Sequence, residues 1–228
     1  MTLSAIAVGD GVTALSGPAL ALGAADRRLR SALVEAVHSL HDRKALDFGG
    51  AANASVRLVD RPGCVLVTSR GLPRDLGDDD FGIVTLGGEF VGGKLGKGIR
   101  SVIAMHTHAY RREGVNAAIH THSPYATVFA VAHQPIPAGH YEPLVNRGQR
   151  VDVPVSRYGN RNSGEMVGEL DRVLADHPDT RAVLLANHGL LVFDEDIRKA
   201  ADLVVTIDEA AALFLRARAL GGSRPIDR

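Results

Sequence analysis

The chain has 228 residues, 45% of them hydrophobic, enough to bury a substantial core. Its 26 Lys and Arg balance 26 Asp and Glu, which argues against a nucleic-acid or acidic-membrane binder and points to a small-molecule ligand. The single cysteine, Cys64, excludes an intramolecular disulfide framework and fits a reducing cytoplasm, and no apolar run approaches the roughly 20 residues that span a bilayer.

Residues 1–24 are rich in Ala, Leu and Gly but lack a basic start and are interrupted by Asp10 and Gly11. They are expected to form a loose N-terminal arm, not a signal peptide. No Ser/Gly/Pro-rich linker or charge block divides residues 25–228, so one domain is expected there. Residues 25–46 carry Leu29, Leu33, Val34, Val37, Leu40 and Leu46 at the spacing of an amphipathic helix, and Asp47-Phe48-Gly49-Gly50 stops it. Short β-like runs at 55–59, 64–68 and 83–86, separated by Asp, Pro and Gly, predict neighbouring strands. Residues 92–98 read as a glycine-rich basic loop leading into a helix over 99–112, which contains His106, His108 and Tyr110. The glycine spacing matches neither the dinucleotide fingerprint nor the P-loop. Further on come a strand entering His120, a helix over 124–132, a turn at Ile136-Pro137-Ala138 and a helix over 163–175. Two apolar runs then flank Asn187-His188-Gly189 and lead into a long last helix over 198–220. This alternation without internal repeat predicts an α/β fold, a single three-layer α/β/α domain around a mixed, largely antiparallel sheet.

His120-Thr121-His122 is the most informative motif. On a strand, residues i and i+2 share a face, so the two imidazoles arrive side by side with Thr121 turned away. A lone pair of this kind also occurs in many unrelated proteins. The second element, Asn187-His188-Gly189, offers a third imidazole, with Gly189 allowing close backbone approach. Three histidines with an open position is the pattern of a catalytic zinc site, whereas closed structural sites use four ligands, usually with cysteine.

Several segments together resemble the class II aldolase and adducin head family, which includes fuculose-phosphate aldolases and ribulose-phosphate 4-epimerases. They are His120-Thr121-His122-Ser123, Asn187-His188-Gly189-Leu190, Ile136-Pro137-Ala138-Gly139-His140-Tyr141 and Asn53-Ala54-Ser55-Val56-Arg57. The similarity runs from about residue 33 to residue 220, with Ala52 in place of a glycine before Asn53. The resemblance implies a divalent metal held by His120, His122 and His188, zinc first, with iron, cobalt or manganese as alternatives. It also implies a proton donor at Tyr141 with His140 beside it, substrate contacts from Asn53, Arg70, Gly71, Arg100 and Ser101, and a homotetramer with sites near subunit interfaces.

The departures from the pattern carry further information. Where the sugar-phosphate enzymes have S-S-E, this chain reads Arg100-Ser101-Val102, and valine can neither ligate a metal nor carry a proton. The T-P-S-G stretch appears as Thr68-Ser69-Arg70-Gly71. Two positions of the anion pocket therefore offer guanidinium groups, which pair with carboxylate as well as with phosphate. This combination favours a decarboxylase of a small hydroxylated carboxylic acid, aromatic acids of the dihydroxyphthalate type included. One rival is an aldolase or epimerase in which Glu142 or His108 replaces the missing acid. A non-catalytic adducin-like interaction module and an iron-dependent oxygenase are the others.

Overall fold

The computed structural model describes residues 15–46, 52–69, 76–77, 80–96, 99–161 and 163–226. Its centre is one eight-stranded sheet. The strands are β1 (Leu15–Ser16), β2 (Ala52–Arg57), β3 (Cys64–Thr68), β4 (Phe81–Thr85), β5 (Phe90–Leu95), β6 (Ala117–Thr121), β7 (Ala182–Leu185) and β8 (Gly189–Asp194). They lie in the order β1-β5-β4-β3-β2-β6-β8-β7, and every ladder is antiparallel. Among the described residues, the parallel component of the expected mixed sheet is the isolated bridge between Val155 and Leu184.

Among the described residues six α-helices cover the sheet: α1 (Ala24–Asp42), α2 (Ile99–Ala109), α3 (Ala126–Val131), α4 (Glu142–Asn146), α5 (Glu165–Asp176) and α6 (Ile197–Ala217). Strand alternation sorts the core into two layers. Ala117 and Ile119 of β6, with Leu190 and Val192 of β8, pack toward α1, α3 and α6. Ala118, Leu191 and Phe193 pack toward α2 and α5. In α1, Leu33, Val37 and Leu40 recur every three or four residues and are almost wholly buried, so burial of this stripe holds the helix on the sheet. The long helix α6 starts at Asp196, whose side chain accepts hydrogen bonds from Arg198 N (2.8 Å) and Lys199 N (3.3 Å). No described helix is long and apolar enough to cross a membrane.

Three local outcomes differ from the sequence expectation. The glycine-rich stretch is largely strand β5, not loop. Gly82 and Gly93 face each other across the ladder. A Cβ on Gly93 would lie 2.4 Å from Phe81 O, and one on Gly82 would lie 2.4 Å from Leu95 Cγ, so the glycines mark close packing. Leu15–Ser16, inside the expected arm, pair with β5 as an edge strand. The short helix α4, which carries Pro in its first turn, has too little periodicity to be seen in sequence.

Candidate metal centre

The site forms where β6 ends and the β7–β8 hairpin turns. His120 is the penultimate residue of β6, and its cross-strand partners are Asn53 on β2 and Leu191 on β8. His122 follows just past the strand end. His188 arrives on the three-residue connection between Leu185 and Gly189, which pair at the mouth of the hairpin. Asn187 takes the left-handed conformation there (φ 57°), and its N–H donates to Ala130 O of α3 at 3.2 Å. The side-chain oxygen of Asn187 lies 2.7 Å from His133 Nε2, a second anchor for the turn.

The three imidazoles converge. Their centroids are 5.1 Å apart for His120–His122, 4.6 Å for His120–His188 and 5.0 Å for His122–His188. One ligating atom from each lies within 4.8 Å of the others. His120 Nδ1 is 2.9 Å from Leu190 O, and a carbonyl can only accept, so Nδ1 carries the hydrogen and Nε2 keeps its lone pair. Burial lowers the His120 pKa well below its ordinary value, and the neighbouring His188, His122 and His106 push it further the same way. Burial first, then His122 and Arg161, hold His188 down to about 4. Both rings are therefore neutral at physiological pH, the form that ligates a cation. Gly189 makes the convergence possible: a Cβ there would meet Thr121 O at 2.4 Å, His122 Cδ2 at 2.9 Å and His120 Cε1 at 3.2 Å. Two neutral rings, the fixed tautomer of His120 and three ligating atoms within 4.8 Å of one another fit a divalent cation.

Residues 31–215, which contain all of this apparatus, match the model of the Class II Aldolase and Adducin N-terminal domain. The chain belongs to this family. It is 31% identical over 189 residues to the 5-methylthioribulose-1-phosphate/5-deoxyribulose-1-phosphate aldolase of Rhodospirillum rubrum, covering 82% of this chain and 80% of that protein. It is 29% identical over 195 residues to the 3-oxo-tetronate 4-phosphate decarboxylase of Haemophilus influenzae, covering 83% and 88%. Among solved structures, an L-fuculose 1-phosphate aldolase superposes with a TM-score of 0.76 at 25% identity, covering 90% of this chain and 92% of the other.

Beside the imidazoles, this class II aldolase domain buries a polar chain that the sequence reading did not find. His106 of α2 is fully buried. Its Nε2 is 2.6 Å from Asn53 Oδ1 and its Nδ1 is 2.7 Å from Ser55 Oγ, which in turn is 2.8 Å from Tyr110 OH. Burial holds His106 down to about 3 and pushes the Tyr110 hydroxyl up, so both are neutral. An amide oxygen only accepts, so Nε2–H donates to Asn53, Nδ1 accepts from Ser55, and Ser55 accepts from Tyr110. The Asn53 carbonyl is thereby held in place on the strand position paired with His120. The available signal was the pairing of two spacings: Asn53 and Ser55 two apart on a strand, His106 and Tyr110 four apart on a helix.

The other expected site residues are distributed around the domain. Arg70 and Gly71 lie outside the described residues. Arg100 and Ser101 occupy the first turn of α2, both half-buried. Val102 packs into the apolar layer under α2 and α5. His108 Nδ1 is 2.6 Å from Asp171 Oδ1, which ties α2 to α5, so its ring is engaged in that seam. His140 Nδ1 lies 2.9 Å from Ser223 Oγ, and its ring meets Phe214 of α6 edge-on at 6.2 Å. Tyr141 packs against the α1/α6 layer, and Glu142 is exposed at the start of α4. The described contacts of His140 and Tyr141 are thus with the opposite layer and the C-terminal segment. Sequence reasoning also passed over the loop 156–161, which together with Asn187 and His188 lines a cavity of about 390 Å³.

Proposed function

We propose that this class II aldolase domain is a metal-dependent carbon–carbon lyase that removes carbon dioxide from a small hydroxylated or keto carboxylic acid, aromatic acids of the dihydroxyphthalate type included. The observation that carries this reading is Val102: where an acid would abstract a proton from carbon, the chain has a side chain packed in an apolar layer. Decarboxylation needs no such abstraction, because the electrons come from the bond to the departing carboxylate. The name of the Haemophilus influenzae relative supports the same chemistry.

His120, His122 and His188 would hold the cation. Zinc is the first candidate for a three-histidine donor set with an open position, with iron, cobalt and manganese as alternatives. When bound it supplies Lewis acidity at the hydroxyl or keto oxygen beside the scissile bond. Asn53, held by His106, donates its NH2 to a substrate oxygen. Arg100 and Ser101, with Arg70 and Gly71, bind the substrate's anionic group. The carbon–carboxylate bond breaks, its electron pair stays on carbon, carbon dioxide leaves, and the Tyr141 hydroxyl delivers a proton to that carbon, with His140 as the second candidate donor. Since both residues pack against the far layer of their own chain, a homotetramer in which a neighbouring copy presents them is part of the proposal.

A second reading, aldol cleavage of a ketose phosphate, is favoured by the name of the Rhodospirillum rubrum relative. The deciding experiment incubates metal-loaded protein with hydroxylated and keto acids and, separately, with ketose phosphates. Carbon dioxide release from the acids is the expected result, and cleavage confined to the phosphates would overturn the proposal.

A further inference from the structure

The cavity beside His188 is cationic. Arg157 and Arg161 line it together with Tyr158 and Asn160, and no carboxylate is among its described lining residues. Among the described residues neither arginine has an ion-pair or side-chain hydrogen-bond partner. Arg161 is near enough to His188 for its charge to bear on the imidazole.

The loop that presents these groups is held at both ends. Ser156 N donates to Leu184 O at 2.8 Å and Ala186 N donates to Ser156 Oγ at 3.3 Å, which fastens the loop to the strand leading to His188. At the other end, a Cβ on Gly159 would lie 2.5 Å from Met166 N, so the glycine lets the loop press against α5. Asn160 N donates to Glu165 Oε2 at 3.0 Å, and Ser163 N to Asn160 O at 3.2 Å. Between these anchors stand two guanidinium groups with unused donors, in a cavity that shares His188 with the candidate metal centre. A planar, permanently charged fork of this kind pairs with carboxylate or phosphate oxygens.

We infer that this cavity is an anion subsite, in which Arg157 and Arg161 take a second negatively charged group, carboxylate or phosphate, of a substrate whose chelating end faces His120, His122 and His188. The inference rests on the proposed metal-dependent reaction and narrows its substrate to an acid with two anionic groups. The subsite sets specificity and does not touch the reacting atoms.

The test uses zinc-loaded protein and 2-hydroxy acids that share one chelating end. Lactate carries no second anion, malate and 2-hydroxyglutarate carry a second carboxylate at increasing reach, and 3-phosphoglycerate carries a phosphate. At least one dianionic acid is expected to bind about tenfold or more tightly than lactate, a difference of about 1.4 kcal/mol. The double variant Arg157→Ala/Arg161→Ala should lose that preference while binding lactate as the wild type does. Whether malate or 3-phosphoglycerate gains most tells carboxylate from phosphate. As a readout without substitution, the preferred acid should protect both arginines of the wild type from phenylglyoxal, and lactate should not.

Equal binding of lactate and all dianions by the wild type, or a preference that survives in the double variant, overturns the inference and leaves the metal reading standing. Protection of both arginines by a dianion in protein that binds no lactate supports the subsite and counts against the metal reading.

Discussion

Substituting Gly189→Ala should disable the metal centre through one methyl group. The new Cβ would lie 2.4 Å from Thr121 O, and real Cβ contacts essentially never fall under 3.0 Å, so β8 must retreat from β6 by at least the 0.6 Å difference. No backbone strain intervenes, since Gly189 is not in the left-handed region. Overpacking of this kind costs about 1–3 kcal/mol. At about 2–4 °C per kcal/mol for a chain of this size, the unfolding midpoint should fall by about 2–12 °C. The imidazoles suffer more, because His122 Cδ2 and His120 Cε1 lie 2.9 and 3.2 Å from the same Cβ, while metal–ligand distances tolerate only about 0.2 Å. Metal content after dialysis, measured by mass spectrometry, should drop well below that of the wild type. Gly168→Ala is the control: this exposed residue inside α5 has nothing within 4 Å of its Cβ position, and the change should stabilise the helix by up to about 1 kcal/mol. A Gly189→Ala protein with wild-type metal content and midpoint would refute the reasoning.

Two further outcomes depend on protons. Asp208 of α6 accepts hydrogen bonds from Tyr125 N at 2.7 Å and Ala126 N at 2.8 Å, and burial pushes its carboxyl up from 3.8 to about 6. The folded state thus holds this proton more tightly: the favourable contribution is complete below pH 3.8 and disappears as pH rises through about 6, worth on the order of 3 kcal/mol. Asp208→Asn should gain stability on the wild type between pH 4 and 7 in urea titrations, and a difference that does not change with pH would contradict this. His106 acts in the opposite sense, since its folded value of about 3 lies below 6.5, so its contribution is lost as pH falls through that window. For metal binding, calorimetry at pH 6 in buffers of different ionisation heat should register fewer than one proton released per ion. An ordinary histidine would be about three-quarters protonated at that pH, whereas His120 and His188 are already neutral. Release of two or more protons would show that these rings are not held as described.

Much of the site was readable because its logic is local. The period-two geometry of a strand places His120 and His122 together without tertiary information, and Asn187-His188-Gly189 stands out as a third imidazole between two apolar runs. Long amphipathic helices such as α1 and α6 were legible for the same reason. What escaped depends on contacts distant in sequence. Gly93 resembles a loop residue until Phe81 O is seen 2.4 Å from where its Cβ would stand. His106 gains meaning only when β2 brings Asn53 and Ser55 to its two ring nitrogens. His108, drawn to Asp171 on α5, has a role fixed by helix packing that no spacing rule supplies. Arg157 and Arg161 lie in a stretch with neither helical nor strand periodicity, so only the folded loop reveals that they share a cavity with His188.

The imidazoles of His120 and His188 are 68 positions apart in the chain yet meet through the adjacent strands β6 and β8. A cation held by these candidate ligands would therefore find its nest only once the middle of the sheet has zipped up, as a late guest of a scaffold already standing. Stripping it with a chelator should silence the protein without dismantling it, unlike small zinc modules whose architecture collapses when the ion departs.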